Sequence, residues 1–512
     1  MKVIDVSELR DVIKDGASLA TAGFSKSGMP EYIYKGIEDS FLEYGHPRDL
    51  IYNANALGGS GEPDTFHDRF GPEGLVADVR VSHIQLAMRL RDRIDAGKMP
   101  GHFYPLGVMA QLYRAIGAGK PGVLSKVGLG TFIDPRQEGG RMNSITEGDV
   151  AQLMEIGGEE WLFYPVFDLD VGIIRATWAD SKGNISMEKE PCLSDAFQTA
   201  QAVKKCGGIV IVQVEGLVEY GEIPAREVEI PGFMVDYVIV APEEFCHQTP
   251  VTEYDPSFCQ KERVEMTGLE KKPLDIRKMI ARRATMELKE GDMVNLGYGI
   301  PEVCGDVAAE EGIADRFTLT VECGLIGGIP ASGLDFGAAR NVDFVTDMAG
   351  IMDWYDGGGL DISVLGLAEV DIAGNLNVTK FGMSVGPGGF INITNGTKEN
   401  VFCGTMTAGG LKVEAADGKL TILSEGRKKK FVNKVEQISF NAERALAGGH
   451  TIKYITERAV FVLDEDGLVL TEIAPGIDLK TQVLDQMEFE VKVADDLKEM
   501  DERIFRNEPM GL

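Results

Sequence analysis

Apolar residues run along this chain in two rhythms. Short runs at 209–214, 235–240, 317–321 and 459–463 are rich in β-branched and aromatic residues and predict strands. Longer stretches place apolar residues three and four apart instead. In 106–116 they stand at Leu106, Met109, Leu112, Tyr113 and Ile116, one stripe of a helix. Strands alternating with such helices predict an α/β protein, each half an open sheet covered by helices. In Phe317-Thr-Leu-Thr-Val-Glu322, alternation sets Phe317, Leu319 and Val321 on one face and Thr318, Thr320 and Glu322 on the other. That strand ends on an acid and a thiol, Glu322-Cys323, and breaks into glycines.

The pattern recurs within the chain. "IKDGASLATAGFSKSGMPE" begins at Ile13 and "LKEGDMVNLGYGIPE" at Leu288. Each reads as a Lys-acid-Gly turn, a short apolar strand, a glycine turn and a Gly-x-Pro-Glu tetrad, Gly28–Glu31 and Gly299–Glu302, that opens a helix with proline in its first turn. "SKVGLGTFID" from Ser125 rhymes with "VECGLIGGIP" from Val321, and Asp180, Gly183 and Asn184 rhyme with Asp371, Gly374 and Asn375. The order is the same in both copies, which predicts two related open α/β domains from an internal duplication. Pro30 and Gly128 stand 98 residues apart, whereas Pro301 and Gly324 stand 23 apart, so the first copy carries an insertion of about 75 residues near 45–120. Superposed this way, Glu322 falls opposite Lys126. The carboxylate then belongs to one half only, which predicts a single active site between the two domains. The expected boundaries are 1–251, a polar linker at 252–275, and 276–512.

Composition removes several classes of function. The net charge of −30 repels nucleic acid and anionic lipid, so neither is an expected partner. No apolar run approaches the ~18 residues of a membrane span, and the acid-studded start "MKVIDVSELRDVIKDG" is no signal peptide. The closest of the seven cysteines, Cys246 and Cys259, are 13 apart, so no CxxC motif exists, and reduced thiols in a cytoplasmic protein are expected. The histidines, at 46, 67, 83, 102, 247 and 450, form no HxH or HxxxH pair, and no metal site is expected.

Glu322 and Cys323 both qualify as nucleophiles. A free glutamate has a pKa of ~4.3 and is ionised at neutral pH without a helper. A thiol at ~8.5 needs a nearby base, and no histidine adjoins Cys323 in sequence. Glu322 also closes its strand at the carboxyl end, where open α/β sheets collect ligands. Chemistry favours the carboxylate; a strand-end acid in a surface salt bridge is the plainer alternative.

Three segments then carry a family resemblance. "VECGLIGGIPASGLDFGAARNVDF" resembles the active-site segment of the family I coenzyme A transferases. "GLAEVDIAGNLNVTKFG" with "GPGGF" at 386–390 is similar to their later segment, and "VGLGTFIDPRQEGGR" at 127–141 to a segment of their N-terminal half. The likeness extends from about Asp5 to Glu490. It implies fused α-like and β-like halves, a homo-oligomer, and Glu322 as catalytic nucleophile. It also implies ping-pong transfer through an acyl-glutamyl anhydride and a glutamyl-CoA thioester. Coenzyme A and short-chain carboxylic acids would be substrates, with no permanently bound cofactor.

By the same resemblance Gly388 is the main oxyanion donor, with Gly389 beside it. Gly297, Gly299 and Ile300 form a wall against coenzyme A. Gly128 and Gly130 face Glu322 from the other half, with Glu138–Gly140 nearby. Asn53 and Asn55 either hydrogen-bond an acyl group or stabilise a turn. Leu106 stands where many relatives carry glutamine, which points to an apolar acyl group or to a different registration. The run 427–430, Arg-Lys-Lys-Lys, meets a coenzyme A phosphate or is a solvated hairpin strand. Two rival functions remain: an acyl-CoA hydrolase using the same glutamate, and a non-catalytic ligand sensor on a related fold.

Overall fold

The computed structural model describes residues 1–265, 272–465 and 467–512. Two principal sheets organise it. In the first half, eight strands run in the spatial order Lys2–Val3, Tyr237–Val240, Ile209–Val214, Val171–Arg175, Ser18–Thr21, Leu50–Ala56, Val76–His83 and Gly101–Phe103. Every neighbouring pair is parallel. In the second half, the parallel core is Thr318–Val321, Met293–Leu296, Ile362–Gly366, Glu399–Cys403 and Thr451–Ile455. Hairpins extend it at both edges. Helices cover these faces, so central strands such as Val171–Arg175 are buried on both sides and read as apolar runs.

The two sheets share an order around their first long strands. Ser18–Thr21 lies between Leu50–Ala56 and Val171–Arg175, as Met293–Leu296 lies between Thr318–Val321 and Ile362–Gly366. The registers correct the sequence superposition. Ser18 pairs with Ile51, and Met293, equivalent to Ser18 after the shared glycine turns, pairs with Thr318. Four residues on, Asn55 falls opposite Glu322. Lys126 instead follows Gly122–Ser125, a strand of a separate three-stranded sheet. Residues 50–56 therefore belong to the common core, and the extra length of the first half lies between Ala56 and Val171. Glycine-rich strand ends recur in this fold, and the sequence match joined two that are not equivalent.

Leu106–Gly117 is buried nearly all round, not along one stripe. The first half covers one face, and Met348–Asp356 and Phe390–Gly396 of the second half cover the other. Close approach there requires Gly107: a Cβ on it would lie 2.5 Å from Asn392 Nδ2 and 2.9 Å from Met352 Cβ. One apolar core runs through both halves, with a second cluster under the C-terminal sheet. Pro30 takes the N-cap of Glu31–Tyr44, and Pro301 precedes the N-cap Glu302 of Val303–Glu311, so each proline leads into its helix rather than standing in the first turn. Part of the expected linker, 266–271, lies outside the described residues. The rest rests on the second half, through Thr252 to Asp335 and Arg340 to Asp255. No helix among the described residues is long and apolar enough to cross a membrane.

Candidate active site

Glu322 directly follows Thr318–Val321, at the carboxyl end of that strand. Its residue is 7% exposed, and Oε2 has no hydrogen-bond partner among the described residues. Burial pushes the carboxyl up to about 7, only slightly opposed by its own backbone amide. The carboxylate opens on a cavity of about 390 Å³ between the halves. Lys26, His83 and Leu106 line it from the first half, and Gly297, Tyr298 and Phe336 from the second. Burial pushes the His83 imidazole down to about 4, so it is neutral at physiological pH.

Cys323 points elsewhere. It is fully buried, its Sγ donates to the Gly337 carbonyl at 3.3 Å, and burial drives its thiol well above the usual range. A thiol held protonated away from the cavity is a poor nucleophile.

The glycine loop 386–389 forms part of the cavity wall. The Gly388 N–H donates to the Ser82 carbonyl at 2.8 Å, and the Gly388 carbonyl accepts from the Leu106 N–H at 3.0 Å. That peptide is tied to the first half, and its amide is not directed at Glu322 as the sequence reading expects. The Gly389 N–H is not used in the loop's own hydrogen bonds. Leu106 lines the cavity while its amide anchors the loop. Gly297 lines the cavity, with room limited by Leu365 at 3.0 Å from a built Cβ. Gly299 is in the left-handed region at φ 95° and lies off the cavity, and Ile300 packs on the C-terminal core instead.

Other expected residues are placed differently. Asn53 is fully buried in the sheet, donating to Ser18 Oγ and to the Leu19 carbonyl at 3.1 Å each. Asn55 donates to Asp195 Oδ2 at 2.5 Å. Burial pushes the Asp195 carboxyl up to about 6. Neither asparagine reaches the cavity, because both side chains serve the packing beneath it. Gly128 lines a second cavity of about 430 Å³ with Ile391, Asn441 and Arg444. The Gly130 carbonyl accepts from Asn441 Nδ2 at 3.1 Å. Phe390 and Ile393 line the Glu322 cavity, while Ile391 and Thr394 of the same helix line this second one. That helix therefore stands between Gly128 and Glu322. Glu138 accepts from Gln437 at 2.9 Å.

Within the 427–430 run, Lys428–Lys429 form an exposed strand antiparallel to Thr407–Ala408, and three of the four cations are tied to backbone carbonyls. Arg427 donates to the Gly409 carbonyl, Lys429 to Asp485 and Met487, and Lys430 to Leu367. Burial pushes the Lys430 amine down to about 8. Lys26, His83, Tyr298 and Phe336 escaped the sequence reading, since nothing in their periodicity marks them; only the sheet ends and turns bring them together.

A family model described as "Coenzyme A transferase" matches residues 5–241. Over the full chain, the protein is 44% identical to caffeate CoA-transferase of Acetobacterium woodii, covering 98% of it. The chain belongs to the family I coenzyme A transferases. It is also 42% identical to the acetate CoA-transferase YdiF of Escherichia coli O157:H7, across 99% of this chain and 96% of that one. The apoenzyme of that organism's acyl-CoA transferase YdiF superposes with a TM-score of 0.94, at 40% identity over 100% of this chain and 97% of that one. Its thioester complex with CoA gives 0.93, at 39% identity over the same shares. The two open α/β halves of this CoA-transferase are thus those of an established enzyme fold.

Proposed function

We propose that this transferase moves coenzyme A between carboxylic acids by a ping-pong cycle with Glu322 as covalent nucleophile. The observation that carries this reading is a buried carboxylate, with one oxygen unpartnered, facing a cavity walled by both halves. Ionised Glu322 attacks the acyl-CoA carbonyl; the carbon–sulfur bond breaks, leaving an acyl-glutamyl anhydride and CoA thiolate. The thiolate attacks the glutamyl carbonyl, the anhydride carbon–oxygen bond breaks, and the first acid leaves as carboxylate. A second carboxylate reverses both steps and departs as acyl-CoA. Each step exchanges one activated acyl bond for another, so no nucleotide is consumed. Each tetrahedral oxyanion needs a preorganised donor. The unengaged Gly389 N–H suits this role better than Gly388, whose amide serves Ser82.

The walls favour an apolar acyl group. Leu106, Phe336, Leu365, Phe390 and Ile393 surround the space, and about 390 Å³ admits acids larger than acetate. The relatives named for caffeate and for acetate bracket that range. Coenzyme A enters as substrate rather than as a resident cofactor. The expected setting is the cytoplasm, with the chain working as a homo-oligomer in short-chain acid metabolism.

Acyl-CoA incubated with the protein, followed by peptide mass spectrometry, tests the cycle. A CoA or acyl adduct on the peptide bearing Glu322 is expected, with CoA exchange that requires an added carboxylate. Acceptor-independent release of free CoA would make the protein a hydrolase. Binding with no turnover, unaffected by Glu322→Ala, would make it a sensor.

A further inference from the structure

The Glu322 cavity contains one lysine ammonium. Lys26 is 3% exposed, and among the described residues no carboxylate lies within salt-bridge distance of it. Its Nζ donates to the Gly333 carbonyl at 2.8 Å and lies 3.4 Å from the Tyr298 hydroxyl, with the Tyr298 ring centroid at 4.6 Å. A carbonyl and an aromatic ring stabilise the cation without neutralising it. An ammonium has three donors. One is fully used and one weakly, so the group retains capacity for a further acceptor in the cavity it lines.

The backbone holds this lysine in place. Phe24 and Ser27 exchange both backbone hydrogen bonds, at 3.0 and 2.9 Å, closing a two-residue turn on Ser25 and Lys26. Ser25 takes a left-handed φ of 51° there. Gly58 packs so tightly that a Cβ on it would lie 1.1 Å from the Ser25 carbonyl oxygen. Asp195 braces the turn by accepting from the Gly23 N–H at 3.2 Å. A strained, braced turn that delivers a buried cation to a cavity is an arrangement expected at ligand sites.

Lys26 does not serve the nucleophile directly. Its Nζ is held by the Gly333 carbonyl and the Tyr298 hydroxyl, and among the described residues no hydrogen bond or salt bridge joins it to Glu322. The two polar groups thus address different parts of one ligand, and most of the remaining wall is apolar: Phe24, Leu86, Leu106, Phe336, Phe390 and Ile393.

We propose that Lys26 is a specificity-determining residue, its ammonium binding an acceptor oxygen at the far end of the acyl group whose carboxyl carbon reacts at Glu322. The substrate class is an acid with an apolar body and a distal hydroxyl, keto or carboxylate oxygen. Simple alkanoates leave the ammonium without that partner. This rests on the proposed transferase cycle.

The test uses acceptors matched in shape and differing in one terminal group. Pentanoate is paired with 4-hydroxybutyrate, and 3-phenylpropanoate with 3-(4-hydroxyphenyl)propanoate, against a fixed acyl-CoA donor. In wild type, kcat/KM is expected to favour the oxygenated member of at least one pair by about tenfold or more, the size expected for a hydrogen bond to a charged group. Lys26→Met should collapse that preference, the oxygenated member of the pair losing about tenfold more kcat/KM than the plain acid. Lys26→Arg, which keeps the charge, should restore part of it. No preference in wild type, or a preference that survives Lys26→Met, overturns the proposal. So does an equal fall on both members of each pair, the signature of a strut between the halves. Failure of the underlying cycle looks different: no acid supports exchange, and the Glu322 peptide carries no adduct.

Discussion

Gly389 stands directly against Glu322: a Cβ on the glycine would lie 3.0 Å from both Cγ and Oε1 of that side chain. A methyl group there must displace the Glu322 side chain, and in the proposed cycle small displacements of the attacking carboxylate are costly. Gly389→Ala should lower kcat by about 10²-fold with the fold retained. Gly388 differs. Its φ of 50° is left-handed, but a Cβ on it would meet nothing within 4 Å. Gly388→Ala should cost about 1–2 kcal/mol of stability and leave kcat within about threefold. Steady-state kinetics with thermal denaturation separate the two. Equal kinetic losses would mean that the loop's conformation, rather than the space at residue 389, is what the reaction needs.

The Glu322 carboxyl, pushed up to about 7 by burial, sets a pH dependence. In the proposed cycle only its ionised form attacks, so the first half-reaction should slow below pH 7 and level off about one unit above it. Stability moves the other way. The folded protein retains this proton up to about 7, whereas an unfolded glutamate loses it near 4.5. The stabilising contribution is therefore complete below that lower value and is lost as pH rises through the upper one. Glu322→Gln has no charge to bury, and its stability advantage over wild type should grow across this window to on the order of 3 kcal/mol. Urea denaturation of both proteins at pH 5 and pH 8 measures it. A gap that does not change with pH would remove Glu322 as the titrating group.

The choice between adjacent nucleophiles can be checked directly. Cys323 donates inward to the Gly337 carbonyl and is absent from the cavity wall. Cys323→Ala should keep kcat within about threefold while costing about 1–2 kcal/mol of stability. Glu322→Ala should lose about 10⁴-fold or more. Comparable losses in both variants would transfer the chemistry to the thiol.

Local pattern and chemistry made much of this legible. Alternation placed Glu322 at a strand end, its low intrinsic pKa distinguished it from Cys323, and the repeated turns announced two related halves. Three-dimensional register was not legible. Asn55 is the counterpart of Glu322 because Ile51 and Thr318 pair equivalently with their neighbours, and no short sequence match records strand pairing. Gly128 carries a glycine signature yet lies across a helix from the carboxylate. Lys26 has no pattern at all; a two-residue turn and the opposing half give it its place.

Asn392 couples the halves to the glycine loop 386–389. Fully buried, it accepts from the Gly107 N–H at 2.9 Å through Oδ1 and donates to Asp356 Oδ1 at 2.9 Å through Nδ2. Burial pushes the Asp356 carboxyl up to about 6, while hydrogen bonds from Asn392 and Gln111 pull against that rise. Asn392→Leu leaves a buried amide and a buried carboxyl each short of a partner and should cost about 2–4 kcal/mol. The loss should be greater at pH 8 than at pH 5, because the ionised Asp356 needs the missing donor more than the protonated acid does. The same helix follows Gly389 and presents Phe390 to the cavity, so kcat should fall as well. Denaturation at the two pH values, alongside kinetics, tests both effects. A variant as stable as wild type would show that the Gly107 contact does not hold the halves together, and the loop's placement would then depend on the bonds between its Gly388 peptide and Ser82 and Leu106.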